Sequence, residues 1–302
     1  MKMTSDSEGA LPISGQHQAR ARRIDRIKPA LRCPGCSKNL NFLNDYCECE
    51  HCDTQYPVRD GRIYFVQVSE RDDYLDSLKG RLKSILGSAY YTWGVQLMAP
   101  TFPFRYGRKI RSYVDPSQQI VVDLGSGNNR VDEDIICLDL FDYDEVDIVC
   151  DLTNLPFAPE TIDAFASRSL LEHVPHPWQL TEAIGRCTRK GGLGLHLIPF
   201  LYPYHASPYD FTRFTHTGAT ALFPGWQMIE QINATGPVTY FLVGLIEFLA
   251  TIVSFGSRKI RGPLYLALCA LLFPIKFLDA PFIGRKAFLA MAPSILTVQR
   301  KP

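Results

Sequence analysis

Apolar residues gather along this chain in short dense runs punctuated by glycine, proline and acidic positions. Between residues 118 and 200 the runs are Ile120–Leu124, Ile136–Asp139, Asp147–Val149, Ile162–Ser167 and Leu193–Ile198. Each is too short for a helix, and each is nearly continuous rather than alternating, which predicts strands buried on both faces. Pro177–Arg189 instead carries its apolar groups at helical spacing, and Lys190-Gly191-Gly192 stops it. Two further strands are expected at Gly225–Ile232 and Ser294–Val298. Strands alternating with crossovers predict an α/β fold, a Rossmann-like and mostly parallel sheet of seven strands, whose ligand lies beyond the strands' carboxyl ends.

Outside that block the pattern changes. Tyr56 to Phe65 carries a turn signal at Asp60-Gly61 that leads into an alternating apolar strand. From Ser69 to Leu86, Tyr74, Leu75, Leu78, Leu82, Ile85 and Leu86 recur three and four apart, predicting an amphipathic helix. Gly87, Pro100 and Pro103 interrupt it, the cluster Tyr90, Tyr91 and Trp93 follows, and Tyr106–Tyr113 reads as a short basic helix. Two apolar stretches, Val238–Phe255 and Leu264–Ile275, flank Arg258, Lys259 and Arg261. A membrane span takes about 20 apolar residues, so the second stretch is expected to be too short. A pair of spans would also put the basic loop on the far side, against the positive-inside tendency. An in-plane or re-entrant hairpin is the expectation, its basic loop on anionic headgroups, with a buried helical pair or oligomer interface as the soluble alternative.

These shifts divide the chain into a flexible basic lead-in (1–30), a small cysteine-bearing module (31–67), a helical linker (68–117), the α/β core (118–236), a hydrophobic helical insertion (237–291) and the last core strand (292–302). The lead-in is read from seven Lys/Arg against three Asp/Glu in residues 1–32, with few large apolar groups. The whole chain carries 32 basic and 31 acidic residues, a net charge of +1, so no overall field points to nucleic acid. No signal-peptide pattern stands at the start, so a reducing compartment is expected, and among the 9 cysteines any clustered pair reads as metal ligands before disulfides. Cys33-Pro34-Gly35-Cys36 and Cys49-Glu50-His51-Cys52 have the spacing of two knuckles offering four thiolates to one tetrahedral Zn²⁺, with Cys47 as a spare thiol. Residues 31–66 resemble the small zinc-ribbon proteins that activate tRNA and release-factor methyltransferases. The shared features are the two CxxC pairs and the Tyr56-Pro57-x-x-Asp60-Gly61 turn. The resemblance implies a structural or docking role.

The first core strand runs into Asp123-Leu124-Gly125-Ser126-Gly127-Asn128, a glycine turn that lets a ligand approach the backbone. The second ends in Asp139, suited to ribose hydroxyls. Asp151-Leu152 precedes Leu155-Pro156-Phe157, and Ser169-Leu170-Leu171-Glu172-His173-Val174 follows the fourth strand. In this order the motifs of residues 118–235 resemble the class I S-adenosylmethionine-dependent methyltransferases, in particular the type 11 group. The resemblance implies that Asp123, Gly125, Ser126 and Gly127 cradle the methionine moiety and that Asp139 holds the ribose. It further implies that Asp151 and Leu152 meet the adenine, while Ser169 and Leu170 close the pocket near the sulfonium. Asn129 stands where a third glycine is usual, and only residues 128–134 separate the turn from the second strand, leaving room for about one helical turn.

Methyl transfer needs alignment and, for poor nucleophiles, a base. His173, His205 and Asp210 are the catalytic candidates, with His176 nearby, and Tyr204, His205, Asp210 and Arg213 are expected to contact the acceptor. The run Tyr202 to Phe214 resembles the substrate loop of type 11 enzymes from glycan and lipid pathways; an Asp210–Arg213 ion pair holding the loop in shape is the structural alternative. The expectation is an enzyme at the cytoplasmic membrane face. It would use S-adenosylmethionine and a structural Zn²⁺ to methylate an oxygen, or a nitrogen, of a lipid-linked glycan or other small metabolite, with peripheral membrane contact through residues 238–278. Action on RNA or a translation factor through the ribbon, and a non-catalytic binding protein of the same fold, are the alternatives; Lys38 is the one basic residue of 37–56, which disfavours nucleic acid.

Overall fold

The computed structural model describes residues 13–68, 98–205 and 209–302. The helix expected over 69–86 and the Tyr90, Tyr91 and Trp93 cluster lie outside the described residues. Strands β1 (Asn41–Phe42), β2 (Tyr46–Cys49), β3 (Thr54–Arg59) and β4 (Arg62–Tyr64) come from the cysteine-bearing module. The core supplies β5 (Val121–Leu124), β6 (Ile136–Asp139), β7 (Ile148–Val149), β8 (Ile162–Arg168), β9 (Thr188–Pro199), β10 (Gln227–Asn233) and β11 (Ser294–Arg300). All join one sheet in the order β1-β2-β3-β4-β7-β6-β5-β8-β9-β11-β10.

The sheet therefore has eleven strands, where seven were expected. The four additional strands belong to residues 41–64 and extend the sheet past β7: Ile63 and Tyr64 pair in parallel with Ile148 and Val149. Phe65 N–H donates to Val149 O at 2.8 Å. Nor is the sheet mostly parallel, because β1 to β4 form an antiparallel meander and β11 runs antiparallel to both β9 and β10. The central run β4-β7-β6-β5-β8-β9 is parallel throughout. Its strands are the continuous apolar runs of the sequence, and all four residues of β5 and of β6 are buried, as a sheet covered on both faces requires.

Part of the expected lead-in is ordered. Residues Ile13–Ile27 form helix α1, and Arg20 and Arg23 are 7% and 5% exposed. Arg23 reaches Asp147 through Nε and Nη2, Arg20 reaches the carbonyls of Asp60 and Asp144, and Arg26 reaches those of Pro116, Gln119 and Asp134. Asp147 is fully buried, also receives Arg130, and accepts the Cys137 N–H at 2.9 Å. Guanidinium forks matched to a carboxylate and to carbonyl oxygens can be buried where isolated charges could not, which turns a basic segment into a packed helix.

Helix α2 (Tyr106–Arg111) precedes β5, and α3 (Pro177–Cys187) joins β8 to β9, ending earlier than expected because Thr188 already pairs with Ile162. Among the described residues no helix stands in 125–135, so even the single turn expected of the first crossover is missing. Ile24 and Ile27 of α1 instead share a core with Val122, Ile136, Leu180 and Ile184, so α1 and α3 cover the same face of the sheet.

After α4 (His216–Ala221) and β10, the insertion forms α5 (Pro237–Val253), α6 (Arg258–Leu272) and two 3₁₀ segments, Phe273–Asp279 and Lys286–Met291. Asp279 accepts the Val238 and Thr239 N–H groups at 2.8 and 2.7 Å, satisfying donors that the start of α5 leaves over. The helical run Lys259–Asp279, 21 residues with mean hydropathy 1.5, is long and apolar enough by length and composition to cross a membrane, although 264–275 read as too short. The helix continues beyond the apolar stretch at both ends. Only 17% of its apolar window is buried in the protein.

Candidate functional site

The parallel strands end along one edge, and the glycine turn lies on it. Gly125 and Gly127 take φ of +64° and +58°, a region open to glycine and costly for other residues. A Cβ on Gly125 would stand 2.7 Å from Leu170 Cδ1, whereas one on Gly127 would meet nothing within 4 Å. The turn is thus packed on one side and open on the other. The N–H groups of Gly125 and Ser126 bond to Leu138 O, and Gly127 N–H donates to Asp139 Oδ2 at 2.9 Å. Asp123 is 2% exposed, and its Oδ1 and the Ser126 hydroxyl are buried without a hydrogen-bond partner among the described residues. Burial raises the Asp123 carboxyl to about 6, against the opposing pull of Arg168 and Arg130 and with a further push from Asp139.

The remaining expected contacts fall on the same edge. Cys150 N–H bonds to Asp139 O at 3.0 Å, which sets Asp151 and Leu152 beside β6. Asp151 caps its own turn by accepting from Thr153, and it lines a cleft of about 300 Å³ with Pro34, Gly35, Tyr56 and Asn154. Ser169 has φ of 50°, a strained setting for a serine, and bonds through its N–H to Leu197 O, which turns Leu170 over the glycine loop.

On the far side of Leu170 the next residues build a compact polar corner. Glu172 is fully buried, and neither carboxylate oxygen has a hydrogen-bond partner among the described residues. Burial pushes its carboxyl up to about 7. His173 Nε2 and His205 Nε2 each lie 3.6 Å from Glu172 Oε1, and the two rings meet edge to face at 5.0 Å. The 205–213 loop is strapped on by Phe211 N–H to Glu172 O at 2.7 Å and by His173 Nδ1 to Tyr209 O at 2.5 Å. Asp210 is paired with Arg213 and accepts the His205 N–H, so it is engaged in holding the loop. Arg213 also reaches the carbonyls of Tyr202 and Pro203. Tyr204 is 69% exposed, and His176 lies apart beside Trp178.

The site residues expected from sequence thus fall into two neighbouring groups, a glycine-turn cradle and a histidine corner. Sequence reasoning passed over Glu172, which lies between the two histidines. Only its place next to His173 could have signalled it. It also passed over Tyr106, fully enclosed, whose hydroxyl bonds Leu195 O at 2.6 Å and the Ser167 N–H at 3.1 Å, fixing the ends of β8 and β9.

Cys33, Cys36, Cys49 and Cys52 bring their sulfur atoms within 4.8 Å of one another. Cys33 and Cys52 stand 3.6 Å apart, Cys36 and Cys49 3.3 Å, and none is in a disulfide. Cys47 is buried outside this group, where burial raises its thiol to about 12.

Residues 113–195, a little over a quarter of the chain, match the family described as methyltransferase domain. A 61-residue stretch is 49% identical to an uncharacterized methyltransferase of Mycobacterium avium (strain 104), covering 20% of this chain and 24% of that protein. Over 63 residues the chain is 46% identical to an uncharacterized methyltransferase of Mycobacterium sp. (strain JLS), covering 20% of this chain and 25% of that one. The matching stretch thus spans about a quarter of these relatives' length. Among solved structures, a Haemonchus contortus phosphoethanolamine N-methyltransferase 2 in complex with S-adenosyl-L-methionine is 16% identical with a TM-score of 0.46, covering 79% of this chain and 61% of that chain.

Proposed function

We propose that this chain is an S-adenosylmethionine-dependent methyltransferase acting on an oxygen, or a nitrogen, of a lipid-linked glycan or other small metabolite at the cytoplasmic membrane face. The observation that carries the reading lies inside the methyltransferase-domain match. It is a buried carboxylate oxygen of Asp123 without a protein partner, set beside a glycine turn whose outer side is open above Gly127. An unsatisfied buried acceptor costs stability unless a ligand completes it. A cationic amino acid moiety suits it.

In this reading Asp123, Gly125, Ser126 and Gly127 hold the methionine moiety. Asp139, already oriented by the Gly127 and Phe141 N–H groups, accepts the ribose hydroxyls. Asp151 and Leu152 flank the adenine, and Ser169 and Leu170 separate the sulfonium from the histidine corner. When bound, S-adenosylmethionine supplies an activated methyl group, so the chain's task is to align an acceptor and exclude water. His173 and His205 face the acceptor and manage its proton, while Asp210 and Arg213 keep His205 and the loop in place; Tyr204 lies at the exposed mouth.

The four clustered thiols fit a structural Zn²⁺ with no open coordination position. The α5–α6 hairpin leaves Phe241, Phe248, Ile252 and Phe255 between 57% and 97% exposed, beside Lys259 and Arg261, which supports contact with an anionic membrane surface.

Isothermal calorimetry of the full chain with S-adenosylmethionine tests the reading. One saturable site is expected, weakened at least tenfold in Asp139→Ala, in keeping with the loss of charge-assisted hydrogen bonds worth about 1.5–3 kcal/mol. No heat at millimolar ligand would remove it.

A further inference from the structure

The corner formed by Glu172, His173 and His205 poses a problem of hydrogen-bond arithmetic. Tyr209 O can only accept, so at 2.5 Å the His173 Nδ1 carries the proton and Nε2 presents a lone pair. His205 Nδ1 lies among one donor, Arg213 Nη2 at 3.2 Å, and two acceptors, Pro203 O at 3.4 Å and Asp210 Oδ2 at 3.5 Å. In the tautomer with the proton on Nδ1, which serves the two acceptors, Nε2 presents a lone pair as well; in the other, Nδ1 accepts from Arg213 and the Nε2 proton points to Glu172. Both Nε2 atoms lie 3.6 Å from Glu172 Oε1, and Glu172 is fully buried with neither oxygen hydrogen-bonded among the described residues. In the first tautomer three acceptors face one another.

A proton or a cation can resolve such a contact. The three ligand atoms lie within 4.8 Å of one another. Ligands at about 2.0–2.1 Å from one tetrahedral ion stand roughly 3.4 Å apart, close to the separations found here. Both histidines also have the outer partners of metal ligands: a backbone carbonyl behind His173, and a carboxylate and a carbonyl, beside the Arg213 guanidinium, behind His205. The site is walled by Glu172 on one side and reaches solvent along His205, whose side chain is 35% exposed.

We propose that Glu172, His173 and His205 bind a divalent cation of the borderline class, Zn²⁺ or a first-row neighbour, with a coordination position left open on the acceptor side. Two imidazoles and one carboxylate are the donor set of open, Lewis-acid sites, in contrast to the closed four-sulfur cluster more than a hundred residues earlier in the chain. The binding site stands on these side chains alone. Its use, polarising an acceptor hydroxyl so that its proton leaves more readily, rests on the methyltransferase reading.

The test uses the full chain reconstituted with a single equivalent of Zn²⁺, held by the four thiolates with the Glu172 corner left metal-free, titrated with Co²⁺ and followed by calorimetry and visible absorption. One equivalent is expected, with d–d bands and no thiolate-to-cobalt charge transfer. Glu172→Gln, which preserves shape, and His205→Ala are each expected to weaken uptake at least tenfold, with unchanged circular dichroism. No uptake by the wild type, a charge-transfer band marking thiolate ligation, or wild-type affinity in either variant overturns the proposal and leaves a shared proton as the occupant of the corner. S-adenosylmethionine calorimetry on the same samples separates the two readings: cofactor binding without Co²⁺ uptake defeats the cation site alone, and uptake without cofactor binding defeats the methyltransferase reading alone.

Discussion

At the scale of single residues, Asp123 sets stability against binding. Its carboxyl in the folded chain titrates near 6, above its ordinary value of 3.8. A raised acid favours the folded state while protonated, so that contribution is complete below 3.8 and is lost as pH rises through 6. At pH 8 Asp123→Asn should therefore stabilise the ligand-free chain by roughly 1–3 kcal/mol, the scale of a two-unit shift, read as a higher urea midpoint. The same variant should bind S-adenosylmethionine more weakly, and wild-type affinity should decline as pH falls below about 6. A urea midpoint unchanged by Asp123→Asn at pH 8 would show that the buried charge costs nothing. Asp123, Gly125, Gly127 and Asp139 were legible in the sequence because turn chemistry and strand ends leave local marks. Glu172 was not, because its place in the corner depends on His205, 33 positions later in the chain.

Helices and strands differ in how much of themselves the sequence reveals. The core strands were legible because full burial on both faces forces continuous apolar runs. Helix α1 was not: Arg20, Arg23 and Arg26 look like solvated charge until their partners are known, and those partners lie 40 to 124 residues away. Asp147 gathers Arg23 and Arg130 in the interior. Its replacement by alanine leaves the buried Arg23 without a carboxylate and Arg130 with Glu145 alone, and a loss of about 3–5 kcal/mol is expected. Denaturant unfolding measures the loss, and amide exchange within residues 13–27 should speed up before that of β5 and β8. Equal protection of α1 in Asp147→Ala and wild type would mean that apolar packing by Ile24 and Ile27 alone secures it.

For the whole molecule, the sequence separated the cysteine module, the core and the insertion but not their joining. Two short parallel pairings at Ile63 and Tyr64 merge the first two into one sheet, and so little pairing leaves no recognisable pattern. The insertion was legible as apolar, while its reach into the polar flanks was not, since helix continuation past Ile275 depends on Asp279 returning to α5. Its exposed aromatics make a physical prediction. The full chain should sediment with vesicles containing phosphatidylserine, and Phe248→Ser with Phe255→Ser should weaken this at least tenfold, each ring being worth about 1.5–3 kcal/mol on burial. Wild-type protein left in the supernatant would contradict membrane contact.

Joining β4 to β7 also fixes an order of events at the ribosome. Ile63 leaves the exit tunnel 85 residues ahead of Ile148, its partner, an interval of roughly 4–17 s at common rates of elongation. Throughout it the β4 edge is an unpaired template that any neighbouring nascent chain could take up.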